Sequence, residues 1–354
     1  MLEHGGRLRA AARRYGIPES DWLDLSTGIN PDGWPVPAVP AEIWQALPQD
    51  DDELNAAASA YYGTTRLLAV SGSQAAIQGL PSLRSSAKVA LVTPSYAEHA
   101  HAWQRCGHEV IGVPAEEILS VGDEVSVVVI VNPNNPTGKL FSRDELLELH
   151  ARLAARGGWL VVDEAFMDAM PEHSLASVCP RPGLIVLRSL GKFFGLAGAR
   201  VGFVLAEDDV LQPLAELLGP WPIAAPSRYV SALALRDTAW QRAARELLPQ
   251  TAQRLADLLH AHGLSPTGGS SLFQWVRCAD AANVHEQLAR QGILTRLFEQ
   301  PASLRFGLPR DEVQWVRLAQ ALKGCRFNPF VVSLSNHQPL IQSPSTSSGR
   351  TVNL

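Results

Sequence analysis

The 354-residue chain is poor in several features that mark particular classes of protein. Its four cysteines are scattered, with no CxxC pair and no cysteine–histidine spacing of the zinc type, so we expect reduced thiols in a cytoplasm and no bound metal. A net charge of −5 does not indicate the positively charged surface with which proteins bind nucleic acid. No run approaches the roughly 20 apolar residues of a membrane span, and the N-terminus lacks the apolar core of a secretory signal.

Short apolar runs, separated by turn residues or helical patterns, predict an α/β domain with a mainly parallel sheet. The runs are continuous rather than alternating, which is typical of strands buried on both faces. They lie at 89–93, 125–131, 159–162, 184–187 and 201–205. Between them, Ser142–Arg156 is amphipathic, and Ser142 with Glu145 predicts a capping box at its start. We place this large domain at 45–205.

The other segments differ in composition from this domain. A long helix at 228–262, strands at 272–277 and 304–308 and a helix at 282–291 predict a smaller α+β domain at 206–324. The turn-rich residues 1–44 form an N-terminal arm that can fold over either domain. Residues 325–354 have little amphipathic pattern and end in small polar residues, so we expect a disordered tail and assign it no function.

Five loops, each after a strand or opening a helix, carry side chains suited to a ligand. The stretch SLGKFFGLAGARVG holds Lys192, and a lysine of lowered pKa can attack carbonyl groups. Asp163 ends the strand WLVVD, where α/β folds place ligand-binding groups. In NPNNPTG, Asn135 precedes a proline that holds its backbone extended, which suits a hydrogen-bond donor.

The remaining two loops add a phosphate cradle and an aromatic ring. AVSGSQ places Gly72, Ser73 and Gln74 at the start of a helical pattern, where free N–H groups and the positive end of the helix dipole suit a phosphate. TPSYAEH offers Tyr96 as an aromatic face. Each loop by itself is more commonly an ordinary turn, cap or packing element. The combination of all five is far more specific than any single one.

Together, SxxKxxGLAGxRxG, NPNNPTG and VDEA resemble the fold-type I enzymes of the aspartate aminotransferase superfamily, which use pyridoxal 5′-phosphate. The resemblance implies a seven-stranded mixed sheet flanked by helices and a homodimer. Asp163 would pair with the pyridine nitrogen so that the ring acts as an electron sink, Asn135 would bind the phenolic oxygen, and Tyr96 would stack on the ring. Lys192 is the implied catalytic residue and covalent anchor, and the implied cofactor contacts are Gly72, Ser73, Gln74, Tyr96, Asn135, Asp163, Ser189, Lys192 and Arg200.

Further features narrow the resemblance within that superfamily. Aminotransferases of this branch usually carry DEAY, whereas Phe166 closes the motif here and has no hydroxyl for the phenolic oxygen. Over residues 3–323 the chain is similar to the L-threonine-O-3-phosphate decarboxylase family of cobalamin biosynthesis. The features that carry this similarity are the N-terminal HGG and INP elements, the DEAF motif, the Pro220-Trp221 loop and two arginines near the C-terminal end of the match. This resemblance implies substrate contacts from His4, Asn30, Asn135, Arg296 and Arg305, all but Asn135 forming a clamp on the substrate phosphate.

Such a clamp would matter for the choice of reaction. The bond to Cα that lies perpendicular to the cofactor ring breaks, so a decarboxylase must turn the substrate carboxylate out of the ring plane. Arginines that hold a phosphate leave the carboxylate free to do so. The resemblance therefore implies decarboxylation of L-threonine O-3-phosphate to (R)-1-aminopropan-2-yl phosphate.

Two alternatives belong to other classes. An aminotransferase acting on a phosphorylated amino acid such as histidinol phosphate stays open as the second interpretation. A non-catalytic regulator with an aminotransferase-like domain is disfavoured, because the arm begins at residue 3, no DNA-binding module precedes it, and the chain is acidic.

Overall fold

The structure is a computed structural model that describes residues 4–325. Its N-terminal arm contains α1 (Leu8–Tyr15), β1 (Leu23–Asp24) and α2 (Ala41–Gln45). β1 pairs in parallel with Ile293–Leu294 of the small domain. Farther along, Gly33 approaches the loop of Lys192 so closely that a Cβ on Gly33 would lie 3.0 Å from the Cα of Gly195. The arm therefore connects the small domain with the lysine loop.

The large domain is built on a mixed sheet of seven strands, which confirms the predicted fold class. The strands are β2 (Leu67–Val70), β3 (Lys88–Val92), β4 (Glu109–Val113), β5 (Val127–Val131), β6 (Trp159–Asp163), β7 (Leu184–Ser189) and β8 (Gly202–Leu205). Their spatial order is β2-β8-β7-β6-β5-β3-β4. β3 to β7 run parallel to one another, whereas β8 is antiparallel to both β7 and β2.

Burial on both faces of the sheet explains the continuous apolar runs. In β5, Val127 and Val129 belong to one apolar core, while Val128 and Ile130 belong to the other. A strand whose side chains all meet packed helices has no position at which a polar residue reaches water. The helices of the two layers are α3 (Glu53–Tyr62), α4 (Ser73–Gly79), α5 (Ala97–Arg105), α6 (Arg143–Ala154), α7 (Asp208–Leu218) and α8 (Ala225–Arg236).

The small domain packs three helices against an antiparallel sheet. The helices are α9 (Thr238–Ala261), α10 (Ala281–Ala289) and α11 (Glu312–Gly324). The strands are β9 (Gly268–Ser270), β10 (Phe273–Arg277), β11 (Ile293–Leu294), β12 (Arg296–Phe298) and β13 (Ser303–Gly307). β11 pairs with β1, and the other four lie in the order β12-β13-β10-β9. In that sheet Arg296 stands directly opposite Arg305.

Two helices that follow the predicted domain boundary at residue 205 contact the large domain. α7 packs against α4 and β2, and α8 packs against α3. The reason is apolar burial, because Val210, Leu211 and Leu214 of α7 complete one core of the sheet. The predicted helix at 228–262 is interrupted at Asp237, whose carboxylate accepts a hydrogen bond from the backbone N–H of Trp240 and begins α9 there.

Other local predictions match the structure. The predicted capping box is present at the start of α6, with Ser142 Oγ accepting from the backbone N–H of Glu145 at 3.3 Å. Within residues 4–325, none of the helices combines the length and apolarity needed to cross a membrane. The predicted tail lies outside the described residues, apart from Cys325.

Candidate active site

The carboxyl ends of β5, β6 and β7 meet at one edge of the sheet, beside a cavity of about 370 Å³. This volume is within the range of small-molecule sites, about 300–1,000 Å³. Parallel strands deliver the loops that follow them to the same edge, which is where such folds bind ligands. Nine of the predicted site residues line the cavity: His4, Ser73, Gln74, Tyr96, Asn135, Asp163, Ser189, Lys192 and Arg200.

Lys192 is half-buried in the loop after β7. Burial lowers the pKa of Lys192 to about 8, with the guanidinium groups of Arg305 and Arg200 acting in the same direction. The carboxylate of Asp163 acts in the opposite direction but is outweighed. The Nζ atom lies 5.5 Å from the ring centroid of Phe166. An amine with this pKa has an appreciable neutral fraction near neutral pH, which attack on a carbonyl carbon requires.

Asp163 is buried at the end of β6 and is held on both sides. Its Oδ1 accepts a hydrogen bond from the backbone N–H of Ala165 at 3.0 Å, and its Oδ2 lies 2.9 Å from Nε2 of His99. Both side chains of this pair are almost completely buried. His99 thus fixes the orientation of the carboxylate that is predicted to face the cofactor ring. Sequence reasoning did not single out His99, although it lies three residues after Tyr96 in TPSYAEH.

The predicted phosphate cradle has a geometry that only glycine allows. Gly72 has a φ of +71° and immediately precedes α4. A Cβ at Gly72 would lie 2.6 Å from Nη2 of Arg200. Arg200 itself has a φ of +54°, a left-handed conformation that is uncommon for a side-chain-bearing residue and is often found at ligand sites. The backbone at the start of α4 and a guanidinium therefore lie together, which suits a phosphate group.

Tyr96 is tied to this cradle. Its hydroxyl donates a hydrogen bond to Oε1 of Gln74 at 3.1 Å. Burial raises the pKa of Tyr96 to about 12, and the nearby carboxylates of Glu98 and Asp163 act in the same direction. The phenol therefore stays neutral and donating. Glu98 also lines the cavity, and it is the second site residue that sequence reasoning did not single out.

The two predicted arginines of the small domain occupy different places. Arg305 is buried, and its Nη1 donates to Oδ1 of Asn135 at 2.5 Å while its Nη2 donates to the carbonyl of Ser26 at 2.9 Å. Burial lowers the pKa of Arg305 to about 10, and the facing Arg296 acts in the same direction. Arg296 lines a neighbouring groove that His4 and Ser26 also line. Two guanidinium groups side by side favour a dianion between or beside them.

Asn30, Arg296 and Arg305 are the predicted substrate residues that do not line the cavity, and Asn30 is the one whose side chain is held by the backbone. Its side chain is buried, and its Nδ2 donates to the carbonyl of Phe193 at 2.9 Å. Its Oδ1 accepts from the backbone N–H of Asp32, and its own N–H donates to the carbonyl of Lys192. Both ends of the amide are used by the backbone, so Asn30 fixes the arm against the lysine loop.

The residues present fit pyridoxal 5′-phosphate. A glycine cradle that a Cβ would fill lies next to a guanidinium, as a phosphate needs. A lysine of lowered pKa and a buried, oriented carboxylate line the same cavity, as a carbonyl group and a ring nitrogen need. These groups come from the end of β6, from the segment between β7 and β8 and from the start of α4.

Comparisons with known proteins identify the family of this chain. The model of the family "aminotransferase class I and II" matches residues 20–322. A threonine-phosphate decarboxylase of Pseudomonas aeruginosa is 58% identical over 92% of this chain and 98% of its own length. One from Sinorhizobium sp is 44% identical over 91% and 97% of the two chains. The fold is that of a histidinol-phosphate aminotransferase from Sinorhizobium meliloti in complex with pyridoxal-5′-phosphate, with a TM-score of 0.79, 20% identity and coverage of 91% and 96%.

The family match spans most of the chain, and it confirms both the predicted superfamily and the predicted cofactor class. By its sequence and its fold, this chain is a member of the aminotransferase class I and II family of pyridoxal-phosphate enzymes.

Proposed function

We propose that this protein decarboxylates L-threonine O-3-phosphate to (R)-1-aminopropan-2-yl phosphate and carbon dioxide, a step that would supply cobalamin biosynthesis. The observation that carries the proposal is the pair of facing arginines, Arg296 and Arg305, beside the cavity that holds Lys192. The high identity to two threonine-phosphate decarboxylases supports the same substrate. A dianionic phosphate is the group best matched to two guanidinium groups and an imidazole.

The cofactor, when bound, supplies an electron sink for the pair of electrons left at Cα. Gly72, Ser73, Gln74, Ser189 and Arg200 would hold its phosphate, and Asn135 and Tyr96 would bind and stack on its ring. Asp163, oriented by His99, would hold a proton at the ring nitrogen. The buried Asp163–His99 pair keeps that carboxylate from rotating away.

Lys192 would serve as both attachment point and proton carrier. Its Nζ, with a pKa of about 8, can hold or release a proton near neutral pH. The proton that replaces the carboxylate at Cα would come from this atom. Phe166 lies beside the amine and packs edge to ring against Phe273, with centroids 5.2 Å apart, and this apolar wall would limit water at the reacting carbon.

Substrate orientation would come from the arm and the small domain together. His4 and Arg296 line one groove, and Arg305 reaches from the small domain to Asn135. A phosphate held at this side leaves the substrate carboxylate to be placed by the remaining walls. We propose that the clamp consists of His4, Arg296 and Arg305, with Asn30 holding the arm in place.

An aminotransferase acting on a phosphorylated amino acid is the second candidate, since the matching family is described by aminotransferases. The two functions separate in one assay. Purified holoenzyme is incubated with threonine phosphate while carbon dioxide is collected, and separately with glutamate while the pyridoxamine-phosphate absorbance is followed. We expect carbon dioxide from the first incubation and no spectral change in the second, with Lys192→Ala as the blank. The reverse pattern would establish the transaminase.

We further propose a cytoplasmic homodimer. Trp44 and Leu47, on and just after α2, are more than half exposed, and Val36 is exposed nearby in the arm. We propose that these side chains form part of a contact surface, since contiguous exposed apolar patches mark protein–protein interaction sites. Sedimentation equilibrium should give twice the chain mass, and a monomer at micromolar concentration would contradict the proposal.

A further inference from the structure

We propose that Glu98 is a positioning residue for the substrate-binding arm: its carboxylate holds His4 at the cavity before substrate arrives. The inference rests on the proposed function insofar as His4 is taken to contact the substrate phosphate. It goes beyond that function because Glu98 belongs to neither the predicted cofactor contacts nor the predicted phosphate clamp.

The Glu98 carboxylate accepts hydrogen bonds from three different side chains. Its Oε1 lies 2.7 Å from Nε2 of His4. Its Oε2 accepts from Nε2 of Gln74 and from Nε2 of Gln78, each at 2.9 Å. The side chain is only 13% exposed. A carboxylate can only accept, and this one has a donor on each oxygen.

The hydrogen-bond partners of Gln74 and Gln78 fix the orientation of both side-chain amides. Arg105 can only donate, and it donates to Oε1 of Gln78 at 2.7 Å, so the amide nitrogen of Gln78 must face Glu98. At Gln74, the amide nitrogen faces Glu98 because the carboxylate can only accept, which leaves Oε1 to accept from the Tyr96 hydroxyl. Both amides are thereby fixed, and the remaining carboxylate oxygen is directed at the arm.

The location of Glu98 suits a negative charge. It lies in the first turn of α5, where the helix dipole favours a carboxylate. The same carboxylate connects three parts of the site: residue 4 of the arm, the start of α4 and, through Gln74, the Tyr96 ring. Within the arm, the N–H of Gly6 donates to Oγ of Ser26 at 2.8 Å, and the carbonyl of Ser26 in turn accepts from Arg305.

The negative charge of Glu98 would repel the phosphate groups of cofactor and substrate, which the cavity is proposed to bind. Its presence there is explained if the carboxylate positions other side chains. The Glu98 carboxylate forms hydrogen bonds with His4 and two glutamine amides rather than with an arginine of the site. We infer that it keeps the imidazole within reach of the groove of Arg296, so that the arm is ordered before the substrate binds. Ordering in advance lowers the entropy lost on binding.

The experiment compares Glu98→Gln with wild-type holoenzyme by three readouts. Hydrogen exchange of the peptide that contains Gly6 reports on the order of the arm without substrate. The kcat and KM for threonine phosphate report on positioning, and the melting temperature reports on folding. We expect faster exchange of the arm, a KM raised roughly tenfold, as for one hydrogen bond to a charged group, and a kcat and melting temperature close to wild type.

Three more variants make the result decisive. His4→Gln should raise KM to a similar extent, and the double variant with Glu98→Gln should be no worse than the poorer single variant, because both changes remove one interaction. Glu109→Gln, an exposed carboxylate on β4, is the charge control and should match wild type in every readout.

Several outcomes would overturn the inference. Unchanged exchange of the arm in Glu98→Gln would do so, as would additive KM effects in the double variant. A fall in kcat together with a much lower melting temperature would assign Glu98 a merely structural role. If wild type released no carbon dioxide, the proposed function would fail, while the exchange comparison would still decide whether Glu98 orders the arm.

Discussion

Removal of Arg188 should destabilise the protein more than removal of other arginines. Arg188 is 1% exposed, and its guanidinium contacts Glu164, at 2.5 Å, and Asp168. Both carboxylates are fully buried. Burial alone would lower the pKa of Arg188, but Asp168 and Glu164 outweigh it and raise that pKa well above its ordinary value. Arg188→Met would therefore leave two buried carboxylates without their cation.

The magnitude follows from the cost of an unpaired buried charge. Removing one partner of a buried ion pair costs about 3–5 kcal/mol. An unfolding entropy of about 2.1 cal/mol/K per residue gives roughly 0.7 kcal/mol/K for the folded part of this chain, so the melting temperature should fall by about 4–7 °C. The site should weaken as well, because Arg188 precedes Ser189 in β7 and Glu164 follows Asp163.

The assay is thermal unfolding of the apoprotein, followed by circular dichroism. Arg66→Met is the matched control, because Arg66 pairs with Asp208 at 2.7 Å but both side chains are about half exposed, at 55% and 45%. Exposed pairs contribute at most about 1 kcal/mol, so that control should melt within about 2 °C of wild type. The triple variant Arg188→Met, Glu164→Gln, Asp168→Asn should recover part of the loss, since it removes all three charges. The reasoning is refuted if Arg188→Met melts as wild type does.

Three further predictions concern the site. Gly72→Ala should weaken cofactor binding at least tenfold in an absorbance titration of the apoprotein, because a Cβ at this position meets the guanidinium of Arg200. Gly107→Ala is the control: Gly107 has a φ of +82° but no neighbouring atom within 4 Å of a Cβ, so this variant has the backbone strain alone and should bind the cofactor normally. Attachment of pyridoxal phosphate should speed up with pH through about 8, the pKa of Lys192, since the neutral amine attacks; an inflection near the ordinary lysine value of about 10.4 would contradict this. His99→Asn should lower kcat about tenfold or more without raising the KM for threonine phosphate, because Asp163 loses its hydrogen-bond partner. Steady-state kinetics of the cofactor-loaded enzyme test this, and an unchanged kcat would show that His99 has no role in the mechanism.

The loops of the cofactor site could be predicted because their chemistry is local. A lysine among small residues, an aspartate ending an apolar strand and a glycine before a helix each follow from a few adjacent residues. Eight of the nine predicted residues that line the cavity come from segments at the same edge of the sheet, and the ninth, His4, comes from the arm. The family and cofactor were also predicted, and the comparisons confirm both.

What the sequence did not reveal depended on contacts between residues that are distant in the chain. Asn30 was expected at the substrate, but its amide bonds the backbone of Phe193, 163 residues away. α7 was assigned to the small domain, yet its apolar side chains complete a core of the large sheet. Nothing within either segment reveals its partner.

Glu98 and His99 show the same limit at the site itself. Both lie in TPSYAEH, and a turn of polar residues at the start of a helix gives no sign of which neighbours it will meet. Folding places His99 against Asp163 from another strand, and Glu98 against His4 from the arm. Local sequence was enough to predict five of the seven strands of the large sheet and the chemistry of the loops at its edge. The side chains that hold those groups in place became visible in the folded chain, because hydrogen bonds between distant segments exist only once the chain has packed.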